Sequence, residues 1–364
     1  MAGAIVLVGT RKGLVVARSD EGRRSWTVDP MQFANMEVSA VGIDQRRTPA
    51  RIFAGVGAGH WGPRLSYSDD LCQTWTETEE AAIAFPEHTG AALARIWQIQ
   101  PSLSEPDVVY AGVEPHALFR SEDGGLSFSL VEGLWQHPHR TTWTPGGGGA
   151  CLHTVLTRAD DPQWALVAMS AAGVYRTADG GASWEPANQG IQAVWLPEDQ
   201  RFPEFGQCVH KVAMHPDRPS RLYAQNHFGV YRSDDGGDSW DAIENGLPST
   251  FGFAMVVHPQ QPNTVFGFPL EADGNRVPPE ARCRVYRSED GGDSWVGLSA
   301  GLPADPYYAA VLRDAMCTDG ADPAGFYFGT RLGEVFGSVD DGDSWQTVVT
   351  HLPDVLMVRA AVLP

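Results

Sequence analysis

The sequence predicts an all-β fold, a seven-bladed β-propeller of four-stranded blades, and three observations carry that prediction. An acidic octet recurs seven times, its copies starting at residues 19, 68, 121, 177, 233, 288 and 338, 49 to 56 residues apart. Each copy is followed and preceded by short apolar runs separated by Gly, Pro and Asp turns, about four runs per repeat. The first repeat lacks its first run, and one surplus run stands after the last octet. A self-similar period of this length marks an array of sheets rather than one catalytic loop.

The octet is clearest as "SDDGGDSW" (Ser233 to Trp240), "SEDGGDSW" (Ser288 to Trp295), "TADGGASW" (Thr177 to Trp184) and "SEDGGLSF" (Ser121 to Phe128). "SVDDGDSW" at 338–345 is slightly altered, and "SDDLCQTW" at 68–75 and "SDEGRRSW" at 19–26 are worn. Its Ser or Thr and the acid at position three can bind backbone N–H groups of their own turn. The glycines permit positive φ, and the terminal aromatic can wedge between sheets. A calcium loop is the competing reading. The spacing lacks the EF-hand order and its bidentate Glu, so the octet reads as a structural hairpin between the third and fourth strands.

In the fifth repeat the strands are "VHKVAMHP", "RLYAQN", "GVYRS" and "WDAI". The chain begins at the equivalent of a second strand, "AIVLVGT", so the final "VLMVRAAVLP" is expected to complete the amino-terminal blade and close the ring. The expectation is one domain over residues 1–364.

Composition narrows the partners. Lys and Arg number 26 against 45 Asp and Glu, a net charge of −19 that argues against nucleic acid and anionic membrane. The five cysteines, at 72, 151, 208, 283 and 317, form no disulfide framework, and the amino terminus has only a five-residue apolar run. A soluble, cytoplasmic protein is expected.

The octets resemble the Asp-box, or BNR repeat, of sialidases, xyloglucan-degrading glycoside hydrolases, sortilin-type receptors and photosystem II assembly factors. That resemblance implies the propeller fold and leaves activity open, because the group mixes enzymes with binding proteins. A sialidase-like active site is not implied, since no Arg-Ile-Pro element stands near the start. Tyr307, Tyr308, Glu114 and Glu204 are available for a Tyr–Glu pair.

Long connections at 79–95, 135–150, 195–207 and 269–282 fall on the face opposite the octets, where functional loops are expected. Aligning the first strands puts Arg95, His153 and His210 at equivalent positions, with Phe253 and Tyr308 in the last two repeats. Cys151 and Cys208 each precede such a histidine by two residues, which presents thiol and imidazole on one strand face. The loops between second and third strands add His60, Glu114, His116, Asn226 and His227, and matching "GTRKG" and "GTRLG" segments add Arg11 and Arg331.

Two chemistries follow. His60, His116, His153 and His210 are candidate ligands for a divalent metal (Zn, Cu, Fe or Ni) that would assist an enzyme acting on a small polar molecule. Alternatively Arg11, Arg331, Asn226, His227 and Tyr308 bind a carboxylate-bearing molecule or a glycan, with Glu114, His116 and Arg95 as catalytic candidates. Metal-independent glycoside hydrolysis and a non-catalytic assembly scaffold are the competing functions. In the scaffold reading, "WLPEDQRFPEF" around Trp195 is the contact loop. Hydrogen-bonded structural roles compete for the histidines, and plain burial competes for Cys151 and Cys208.

Overall fold

The computed structural model describes residues 3–59, 62–78 and 80–363. Among them are seven antiparallel four-stranded sheets, and the longest α-helix is the single turn Glu132–Trp135. The chain is a seven-bladed β-propeller.

Each blade runs through its four strands in order. In the fifth, Val209–His215 is innermost, followed by Arg218–Asn226, Val230–Ser233 and the short outer strand Asp241–Ala242. The first blade differs as expected. Its innermost strand is Val355–Val362, which pairs antiparallel with Ala4–Thr10 from Ala4↔Val362 to Thr10↔Val355. The carboxy-terminal strand therefore covers the edge that Ala4–Thr10 would otherwise expose.

Several inner and middle strands are buried on both faces and read as continuous apolar runs rather than alternating ones, while Arg95–Pro101 and Val209–His215 are only partly buried. Ala4–Thr10 is buried throughout, and so is Ala165–Met169. Outer strands such as Thr76–Glu77 are exposed and polar.

The chain divides into two compact units. One holds the first, fifth, sixth and seventh blades, and its core is built on Phe266, Phe268, Phe326, Phe328 and Trp345. Each such aromatic contributes about 1.5–3 kcal/mol by leaving water. The other unit holds the second, third and fourth blades, with Leu152, Val167, Met169, Tyr175 and Trp184 at the centre of one core cluster.

The octets form one hydrogen-bond pattern. Ser233 Oγ donates to Asp235 (2.7 Å) and accepts from the Gly237 N–H (2.9 Å). The other Asp235 oxygen accepts from Ser239 Oγ at 2.6 Å. The same three bonds recur from Ser121, Thr177, Ser288 and Ser338, and even from the worn copy at Ser68. The copy at 19–26 departs, because Asp20, one position early, takes the amides of Arg24 and Ser25. The fifth octet position runs at positive φ, which favours glycine, although Cys72 holds it at +70 in the worn copy. Gly292 has φ +99, and a Cβ there would meet the Ile243 side chain at 2.4 Å.

Candidate functional site

In every blade the octet marks one end of the sheet. The innermost strand starts at the other end, where the sequence-predicted site residues lie. Just past that start the innermost strands carry a β-bulge, between Val38/Ala40, Ile96/Gln98, Leu152/Thr154 and Gly252/Met255. A bulge re-aims the extra side chain out of the ladder.

The extra residue serves as a stitch to the next repeat. Ser39 Oγ donates to the Ile96 carbonyl at 2.8 Å. His153 Nε2 bonds the Val209 carbonyl at 2.9 Å, and His210 Nδ1 the Gly252 carbonyl at 2.6 Å. The accepting carbonyl in each case belongs to the residue just before the next stitch position. Trp97, not Arg95, is therefore the equivalent of His153 and His210, which shifts the sequence alignment of the third repeat by two residues. The signal was absent from the sequence because a bulge is set by cross-strand register, not by residue type.

Within the three-blade unit, Trp97 joins a polar row. Its indole N–H donates to Glu114 Oε2 at 3.0 Å. The Arg95 guanidinium stacks over the Trp97 ring at 4.3 Å and pairs with Glu37 at 2.9 Å. Arg95 and Glu114 also face each other across the ladder. The row Glu37–Arg95–Trp97–Glu114 thus sets two carboxylates around one cation, all partly exposed. Glu37 was not among the residues singled out from the sequence. Its position at the start of an innermost strand was the available signal.

The remaining candidates of this unit are tied down. His116 is buried, its Nε2 bonds the Ser170 carbonyl at 3.0 Å, and burial pulls its pKa down to about 4. His153 is fully buried, with Nδ1 at 3.0 Å from Thr154 Oγ1. Cys151 Sγ donates to Ser170 Oγ at 3.1 Å. His60 lies outside the described residues.

In the four-blade unit, His210 and His227 come together, with ring centroids 5.2 Å apart at 71°. Phe253 stacks on His210 at 4.6 Å, and Phe251 meets both rings edge-on. Burial, then the nearby Arg313 charge, holds His210 well below its ordinary pKa; burial also lowers His227. Arg11 and Arg331 converge as the repeat symmetry suggested, but on a carboxylate of the chain itself. Both guanidiniums bond Asp354, at 3.1 and 2.6 Å. Asn226 is buried and donates to the Gln192 and Phe228 carbonyls, while Tyr308 is 62% exposed.

Two hollows of the three-blade unit lie away from all these residues. One of about 170 Å³ is lined by Arg64, Glu77 and Ile83. The other, about 620 Å³, sits at the octet end beside Asp123 and Asp179. Both set an arginine among carboxylates, Arg64 with Glu77 and Glu80 in the first and Arg120 with Glu122, Asp123 and Asp179 in the second, but neither lining has a tryptophan.

No family model matches the chain. Among curated proteins it is similar to a xyloglucanase of Hypocrea jecorina, 23% identical over 348 residues. The match covers 82% of this chain and 39% of the relative, so the chain spans about two fifths of that protein's length. Among solved structures, the GH74 xyloglucanase of Xanthomonas campestris superposes with a TM-score of 0.66 at 18% identity, over 96% of this chain and 53% of that one. YCF48 of Cyanidioschyzon merolae superposes with a TM-score of 0.54 at 13% identity, over 87% of each chain. At these identities the likeness is one of fold.

Proposed function

We propose that the chain is a glycan-binding propeller of hydrolytic type, with Glu37, Arg95, Trp97 and Glu114 as its site. One observation carries the reading: two carboxylates stand around one arginine beside a partly exposed indole, at the loop-bearing end of the innermost strands. Glycosidic cleavage needs a carboxyl group that protonates the leaving oxygen. It also needs a second carboxylate that activates water or attacks the anomeric carbon. Glu114 and Glu37 fill these roles, Arg95 holds Glu37 and the Trp97 N–H holds Glu114, and the partly exposed indole is the apolar surface for a sugar ring. The similar xyloglucanases make xyloglucan the first substrate to try. His116 is buried against the Ser170 carbonyl and is given no chemical step.

The test is release of reducing ends from xyloglucan and unbranched β-glucans by the wild type, Glu114→Gln and Glu37→Gln. Either substitution should lower turnover by at least about 100-fold, the lower end of what acid–base groups contribute. Equal turnover in wild type and both variants would remove this row from the chemistry.

A second reading rests on Trp195 and Phe202, which are 49% and 61% exposed in the segment between the fourth and fifth blades. Such aromatics suit a protein contact. If this segment docks a partner, Trp195→Ala with Phe202→Ala should abolish co-purification without changing glycan turnover. The carboxylate clamp of Arg11 and Arg331 has least support, because Asp354 already meets both guanidiniums.

A further inference from the structure

We infer a divalent-metal site at the start of the fifth blade, with His210, His227 and the thiol of Cys208 as ligands and Zn²⁺ as the ion that fits them. One ligand atom from each residue lies within 4.8 Å of the others. Cys208 is linked to His210 through Val209 alone, so the chain itself fixes how thiol and first imidazole stand together. Tetrahedral Zn²⁺ with bonds of about 2.0–2.3 Å holds ligand atoms roughly 3.3–3.8 Å apart, a closure that small side-chain rotations supply.

The protonation pattern suits a ligand. His210 donates its Nδ1–H to the Gly252 carbonyl, which fixes the tautomer and leaves the lone pair on Nε2. A ring N–H held by a backbone carbonyl is the usual outer partner of a metal-bound histidine. The aromatic packing by Phe251 and Phe253 restrains the rings, so less order is lost on binding.

The preceding repeat carries the same C-x-H element, Cys151 to His153, whose ring stitches to the Val209 carbonyl through Nε2. The ring at 210 makes the same stitch with the other nitrogen. Two imidazoles and a thiolate leave a fourth position open, the arrangement of sites that activate a bound water. Binding converts the thiol to a thiolate and releases one proton. The site is independent of the glycan reading.

The experiment uses the full chain, freed of metal with chelator and titrated with Zn²⁺, then with Co²⁺ as a spectroscopic probe. One ion per chain is expected, and the Co²⁺ form should show thiolate charge-transfer absorption that Cys208→Ser removes. His227→Ala, at a half-buried ring, should weaken Zn²⁺ binding by at least about 100-fold, since losing an outer partner alone costs about 10–100-fold. His210→Ala also removes a stitch, so the other two variants carry the test. Failure of the folded wild type to take up Zn²⁺ in excess would overturn the assignment. So would unchanged uptake in both Cys208→Ser and His227→Ala.

Discussion

His153 and His210 occupy the same position in consecutive repeats and stitch to the next blade through different ring nitrogens. For His153 both nitrogens are engaged and the ring is fully buried. His153→Ala should cost about 1–3 kcal/mol through the carbonyl left unpaired, plus a cavity term. Urea denaturation would read that loss, and glycan turnover of the folded fraction should be unchanged. The octet makes a similar distinction. Ser233 is 1% exposed and accepts a buried amide, whereas Asp235 is exposed. Ser233→Ala should therefore cost about 1–3 kcal/mol and Asp235→Ala only about 1 kcal/mol, with no direct effect on ligand affinity. The octet was legible in the sequence because all its bonds close within seven residues. The stitch was not, since it depends on which residue a bulge pushes out of the ladder that its own strand makes with the next. Arg95 was consequently aligned with His153, and the partnership of Trp97 with Glu114 went unseen.

At the scale of elements, strand count and closure followed from the repeat, but the polar ties between innermost strands did not. Asp314, fully buried just before the seventh blade, accepts from Lys211 of the fifth blade and Arg359 of the first, each at 2.8 Å. The two cations hold its carboxyl far below the ordinary range against the opposing effect of burial. Sequence cannot announce such a triad, because Asp314 lies 103 residues from Lys211 and 45 from Arg359. Removing one partner leaves buried charge uncompensated, so Asp314→Ala should destabilise the fold by about 3–5 kcal/mol. Thermal melting of that variant would check it. A loss no larger than that of a surface substitution would contradict the burial of the triad. Arg23 and Asp319 make a second buried pair at 2.8 Å, tying the first blade's octet turn to the seventh blade.

For the whole molecule, the repeated octets give a pH signature. Hydrogen bonds from Thr74, Ser183 and Ser294 hold Asp70, Asp179 and Asp290 near 2, against an ordinary 3.8. A depressed carboxyl contributes stability above its unfolded pKa and loses it as pH falls through the folded value. Stability should hold at neutral pH and decline between about pH 4 and pH 2, as circular dichroism across that range would record. The charge of −19 likewise predicts no measurable affinity for duplex DNA at physiological salt. The most direct test of the central claim is a crystal structure of the protein soaked with a xyloglucan oligosaccharide. The account predicts sugar against Trp97, with a glycosidic oxygen within hydrogen-bonding reach of Glu114 or Glu37. Sugar bound only elsewhere, such as in the hollow beside Asp123 and Asp179, would contradict it.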